Sequence, residues 1–193
     1  VPQYAERADM DVIGRMLHGM LCWYQYNGDP LWMEQAHKAF RTIRDKLVRY
    51  DDEGNAFLPP ASQDWGYLPR SGYPPDLPES GHPDANRSSH SGILGYNLLG
   101  MAKYAAMTGD REALELAGKM ANSLRTRKFW EKGFGFIETA GIVAEERAHF
   151  YGHGQMNLMA LRGLLEYGEA ANDADVKEFV RSGYEFWRCY GIA

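Results

Sequence analysis

Leu98-Leu99-Gly100-Met101-Ala102-Lys103-Tyr104-Ala105-Ala106-Met107-Thr108-Gly109-Asp110 reads as the end of an apolar helix, a left-handed cap at Gly109, and an aspartate placed to cap the next helix. The pattern occurs three times. Gly28-Asp29 and Asn172-Asp173 take the place of Gly109-Asp110, and the residues around them align. Five positions before the turn stand Trp23, Tyr104 and Tyr167; nine before it Gly19, Gly100 and Gly163; eleven before it Leu17, Leu98 and Leu161. Six positions after it stand Glu34, Glu115 and Glu178, and eight after it Ala36, Ala117 and Val180. Glycine inside a helix costs about 1 kcal/mol against alanine, so three aligned glycines predict close helix–helix approach. Self-similarity of this kind is the mark of a repeat architecture.

Each unit reads as an αα-hairpin. The first helices, expected over Asp9–Tyr26, Ser91–Met107 and Gly154–Ala171, are apolar on more than one face, as buried helices are. The second helices, expected over Pro30–Tyr50, Arg111–Arg127 and Ala174–Tyr190, carry one apolar stripe against a charged face. In the first of them Met33, Ala36, Phe40 and Ile43 oppose Arg41, Arg44, Asp45 and Arg49, and Pro30 suits a first helical turn. The first helix of each pair is therefore inner and the second outer. The fold class is all-α: three hairpins, at about 9–50, 91–127 and 154–190, forming half of an (α/α) toroid in one partial domain over 1–193. Turns within hairpins are tight, whereas the links between them are long. Tyr50 to Ser89 holds seven of the nine prolines, and Lys128 to His153 contains a short β-like stretch, Gly141-Ile142-Val143. Links much above about 12–15 residues are usually functional, and both fall on one face of the bundle.

Composition narrows the function. At 193 residues, 45% hydrophobic and 24% charged, the chain can bury a core, and its net charge of −5 offers nucleic acid no basic footprint. No apolar run approaches the roughly 18 residues that span a bilayer, and no uncleaved signal peptide is visible. A soluble protein is expected, cytoplasmic or exported after signal cleavage. Cys22 and Cys189 lack CxxC spacing and read as small core residues, with a disulfide or metal site as the alternative.

The alignment also places Asp9, His90 and His153 at equivalent positions, nineteen before the turn, at the N-terminal ends of the three inner helices. In a ring of inner helices these groups surround a mouth. N-capping is their ordinary role; Asp9 suits it, but histidine caps poorly and Ser91 is available beside His90. The links add Asp64, Trp65, Tyr67, Tyr73 and Arg87, then Glu145, Glu146, His149, Tyr151 and Gln155 close to His153. Aromatic faces beside carboxylates suit sugars, because rings pack on C–H faces while carboxylates bind hydroxyls or act as acid and base. Solvation is the ordinary fate of a loop carboxylate. The candidate catalytic groups are Glu146, Glu145, His153 and His90. The candidate sugar-binding groups are Trp65, Tyr67, Asp64, Arg87, His149, Tyr151 and Gln155. His149 and His153 have i, i+4 spacing, but without the glutamate of HExxH and beside Gly152 and Gly154 they make no zinc motif. No metal and no cofactor is expected, and no phosphate loop or nucleophile elbow is present.

Arg87-Ser-Ser-His90-Ser-Gly-Ile-Leu-Gly-Tyr96, Ala105-Ala-Met-Thr-Gly-Asp110, His153-Gly-Gln-Met156 and Leu161-Arg-Gly-Leu-Leu165 resemble the hairpins of six-hairpin (α/α) toroid enzymes. They look most like the bacterial β-L-arabinofuranosidase-like glycosidases. That resemblance implies a glycoside hydrolase with a zinc-bound cysteine nucleophile and a glutamate, although Cys22 and Cys189 lie in helices and form no such cluster. A closed toroid uses six hairpins and this chain has three, so the expected partners are a carbohydrate and the remaining half of the toroid or a partner chain. Two other functions fit the same pattern: a sugar epimerase of the toroid class, with His90 and His153 exchanging a proton, or a non-catalytic repeat that binds a glycan or a protein.

Overall fold

A computed structural model describes residues 7–58, 67–69, 91–126, 142–144, 148–150 and 154–190. Six helices pair into three hairpins: α1 (Met10–Asn27) with α2 (Pro30–Thr42), α3 (Ser91–Thr108) with α4 (Arg111–Leu124), and α5 (Gly154–Ala170) with α6 (Ala174–Tyr190). The turns are built as the repeat requires. Gly28, Gly109 and Asn172 take left-handed φ values of 70°, 69° and 51°. The aspartate after each then accepts a backbone N–H of the following helix. Leu31 donates to Asp29 at 2.9 Å, Ala113 to Asp110 at 3.1 Å and Val176 to Asp173 at 3.0 Å. Replacing such a cap by alanine typically costs about 1 kcal/mol. Asp110→Ala is accordingly expected to lower the urea midpoint without changing the slope of the transition; an unchanged midpoint would show the cap to be idle.

The inner helices lie in a row, α1 beside α3 beside α5. Their contacts explain the glycines. A Cβ at Gly14 would stand 2.6 Å from Asn97 Cα, and one at Gly95 would stand 2.7 Å from Ala160 Cα. On the receiving helices, a Cβ at Gly100 would meet Gly14 O at 2.7 Å, and one at Gly163 would overlap Gly95 O. The two interfaces therefore share one register: a glycine fourteen positions before the turn sits against the next helix twelve and nine positions before its own. The contacts advance in the same direction along both helices, so the inner helices run parallel and their N-termini share an end. Gly19 departs from expectation, since nothing described lies within 4 Å of its Cβ position.

Outer helices use their apolar stripe as anticipated: Ala36 and Phe40 are buried on α2 and Ile43 directly after it, and Ala113, Leu116, Ala117, Met120 and Leu124 on α4. Leu17, Leu98 and Leu161 are buried against this layer, with Leu161 Cδ2 2.9 Å from the Cβ position of Gly183 on α6.

Three expectations need correction. The helix expected to reach Tyr50 ends α-helical at Thr42 and continues as one π-helical turn, Ile43–Leu47. Val48 is then extended, and β2 (Arg49–Tyr50) pairs with β3 (Ala56–Phe57) around a turn held by Asp51 and by Gly54 at φ 80°. The first helix starts at Met10 rather than Asp9, because Asp9 closes a strand, β1 (Arg7–Asp9), that pairs antiparallel with β4 (Tyr67–Pro69). Finally, Cys22 is an exposed free thiol rather than a core residue. The second link carries a hairpin, β5 (Ile142–Ala144) against β6 (Ala148–Phe150), over the stretch expected to be β-like.

Candidate functional site

In the inner helices, the positions seventeen, thirteen, ten and six before the turn fall on one face, because steps of four and three return to the same side of an α-helix. That face points away from the layer of outer helices that buries Leu17, Leu98 and Leu161. It is also where the polar residues of otherwise apolar helices collect: Arg15 and His18 on α1, Tyr96 and Lys103 on α3, Gln155, Arg162 and Glu166 on α5.

The three helices bring these groups together. The Arg15 guanidinium lies over the Tyr96 ring, 3.8 Å from its centroid, a cation–π contact that holds a planar cation at the N-terminal end of the row. From α5, Gln155 Nε2 donates to Tyr96 Oη at 3.4 Å. Beneath them Ser91 Oγ donates to Asn157 Oδ1 at 2.8 Å, a buried bond that fixes the start of α3 against α5. One turn further along, His18 is coupled electrostatically to Lys103 on α3 and to Glu166 and Arg162 on α5, and Arg162 pairs with Glu166 at 3.2 Å. Partial burial lowers the His18 pKa; Lys103 and Arg162 add to this, and Glu166 opposes it. Arg15, Gln155 and Arg162 are exposed, and His18, Lys103 and Glu166 half-buried. The face is thus rich in cations, with an imidazole whose protonation burial disfavours, an amide and, beneath Arg15, a buried phenol. Such groups bind hydroxyls and stabilise a developing oxyanion.

The state of His18 is testable. Its folded pKa lies below the ordinary 6.5, so the unfolded chain binds the proton more readily. The contribution of His18 to stability is therefore fully present above the unfolded pKa and is lost as pH falls from there towards the folded value. Urea midpoints of the wild-type chain and His18→Gln, compared between about pH 5 and 7.5, should show a shallower acid-side decline in the variant. Parallel declines would refute the assignment.

Of the residues singled out from sequence, Asp64, Trp65, Arg87, His90, Glu145, Glu146, Tyr151 and His153 lie outside the described residues. Tyr67 stands in β4 directly opposite Asp9, so the first link returns to the start of α1. His149 stands in β6 opposite Val143, and Gln155 lies in the first turn of α5. The helices after His90 and His153 begin at the equivalent residues Ser91 and Gly154. Sequence reasoning missed Arg15, His18, Lys103, Arg162 and Glu166. The signal was available, since these are polar residues at aligned positions of apolar helices. Among the described residues, no group of three or more His, Cys, Asp and Glu is placed to hold a metal. No described helix is long and apolar enough to cross a membrane.

No protein-family model and no curated protein matches the sequence. Solved structures do match its fold. A sugar epimerase from a ruminal bacterium superposes with a TM-score of 0.67 at 14% identity, over 95% of this chain and 44% of that one. Cellobiose 2-epimerase from Bacillus thermoamylovorans B4167 gives 0.65 at 14% identity, over 94% and 44%. Cellobiose 2-epimerase from Spirochaeta thermophila DSM 6192 gives 0.63 at 18% identity, over 95% and 43%. These likenesses support the toroid and lend nothing to the arabinofuranosidase-like resemblance or to the glycoside hydrolase expectation drawn from it. This chain spans under half the length of those it matches, and its fold is that of half an (α/α) toroid.

Proposed function

We propose that this chain supplies half of a carbohydrate-handling toroid whose reaction is the epimerisation of a reducing sugar. The carrying observation is the polar face shared by the three inner helices, with Arg15 stacked on Tyr96 and Gln155 bonded to the same phenol. The toroid epimerases among its structural neighbours favour this reading over hydrolysis.

Epimerisation next to a carbonyl needs a base to take the proton from the carbon, a donor to hold the resulting enediolate oxygen, and an acid to return a proton to the opposite face. One proton leaves and one returns, so no co-reactant is consumed. Cationic and amide groups on the inner face suit the oxygen. His90 and His153, at equivalent helix starts, are the proposed proton-exchanging pair, and Trp65, Tyr67 and Arg87 are proposed sugar contacts from the first link. Glu145, Glu146 and Tyr151 stay candidates for the same rim, now as hydroxyl-binding groups.

Incubation with cellobiose or a monosaccharide aldose in D2O tests this directly. The expected product is the epimer carrying deuterium at the inverted carbon, with no sugar released. Release of monosaccharide from cellobiose without epimer would instead restore the hydrolase reading. Binding without either product would reduce the site to a glycan-binding surface.

A further inference from the structure

Lys103 is the single charged residue of α3, a helix buried along most of its length, and is itself half-buried on the inner face. The other cations of that face are engaged: Arg15 lies over Tyr96, and Arg162 pairs with Glu166 at 3.2 Å. Elsewhere Lys38 and Lys177 meet glutamates, and Lys119 lies over the Tyr50 ring. Among the described residues no carboxylate stands within ion-pair distance of Lys103. Its company is cationic instead. His18, its neighbour from α1, is held towards the neutral imidazole by burial first and then by Lys103, with Arg162 adding to both. Glu166 is already answered by Arg162, and Asp11, the other acidic residue at a face position, stands eleven positions nearer the helix starts. An unpaired, half-buried ammonium beside a second cation, in a chain of net charge −5, is a place kept for an anion.

Depth decides which part of a sugar reaches it. Lys103 follows Ser91, the first residue of α3, by twelve positions, about 18 Å at the rise of an α-helix. Even with its stem leaning back towards the helix start, its ammonium falls well short of a carbon handled at the mouth, where epimerisation is placed. It meets the far end of the substrate instead, and a single pyranose ring does not bridge that distance. We propose that Lys103, with Arg162 as the second cation around His18, binds an anionic group, carboxylate or phosphate, on the non-reducing unit of a reducing disaccharide. An ammonium suits either anion, since it is a point charge with three rotatable donors and needs no fixed fork geometry. The assignment rests on the epimerisation reading for the seat of the carbonyl, and on the charge of the inner face for the anion.

The test reads binding and reaction separately. Three probes are compared: cellobiose, and the two disaccharides that differ from it only in a carboxylate or a phosphate ester at the primary carbon of the non-reducing glucose. Calorimetric titration should show both charged probes binding more tightly than cellobiose, the tighter of the two naming the anion. Lys103→Met should weaken the charged probes by at least about 10-fold, and Lys103→Arg should restore them. An unchanged urea midpoint in Lys103→Met separates lost affinity from lost fold. Proton NMR of the His18 ring, assigned with His18→Gln, places the anion. Saturation with the carboxylate probe, whose charge is constant over the titration, should raise the His18 pKa in the wild-type chain and not in Lys103→Met. Equal affinity for all three probes, or a preference for charge that survives Lys103→Met, would overturn the proposal. The reaction is then followed as deuterium incorporation in D2O. Charged probes that bind through Lys103 without giving an epimer sink the epimerisation reading and leave the anion site standing. Cellobiose that is epimerised while the charged probes bind no better does the reverse.

Discussion

Gly100→Leu is expected to lower the free energy of unfolding by about 3 kcal/mol, towards the upper end of what overpacking costs. Leucine has the better helix propensity, worth about 1 kcal/mol in an unhindered helix, so propensity alone predicts the opposite sign. Contact decides the outcome. A Cβ at residue 100 would stand 2.7 Å from Gly14 O and 3.2 Å from Leu17 Cβ. The first of these is backbone and cannot rotate away, so α1 and α3 must separate along their whole packed length. Leu17 and Leu98, both fully buried, would lose contacts as they did. Urea denaturation measures the effect, with an unchanged slope showing that both forms expose the same surface. A raised melting temperature would mean that the glycine faces solvent and that the inner–outer arrangement is reversed.

Under the proposed epimerisation, His153→Ala lowers epimer formation by about 100-fold or more, the lower bound for losing a group that transfers a proton in the transition state. His90→Ala should behave alike if the two exchange the proton. The loss belongs in kcat rather than KM, since sugar hydroxyls are held by other groups. Neither histidine belongs to the apolar stripes, so the urea midpoint should stay where it was. A fall in activity matched by a fall in stability would make the histidine a helix cap instead. Full activity in both variants would remove them from the mechanism and leave the inner faces of α1, α3 and α5 to supply the base.

The hairpins were legible because their punctuation is local. Gly28, Gly109 and Asn172 need left-handed backbone, and the aspartates that follow need an adjacent helix to cap. Gly100 and Gly163 were correctly read as contacts, but Gly19 was not, since sequence alignment establishes equivalence and cannot show whether a neighbour is there. β1 escaped because a three-residue strand has no period to detect and its partner, Tyr67–Pro69, lies far along the chain. Cys22 was misplaced because it stands six before the turn, on the same polar face as Arg15 and His18, with its Sγ 3.8 Å from His18 Nδ1. For the site, attention went to the loops, where aromatics and carboxylates are conspicuous. Arg15, His18 and Glu166 were passed over inside helices judged by their apolar majority, although a repeat aligns helix faces as faithfully as turns.

The row of inner helices also makes this chain a short one-dimensional array. α3 is flanked by α1 and α5, each of which has a single inner-helix neighbour among the described residues. In such an array stability is close to a sum of unit terms and nearest-neighbour couplings, so the ends open before the middle. Amide exchange should therefore be slowest between Leu94 and Ala105, with α1 and α5 exchanging through smaller openings that leave α3 closed. The two end units pack chiefly through the central one, the electrostatic link of His18 to Glu166 and Arg162 aside. A lesion in α3 is thereby felt at both ends, whereas a lesion at either end leaves two coupled units standing.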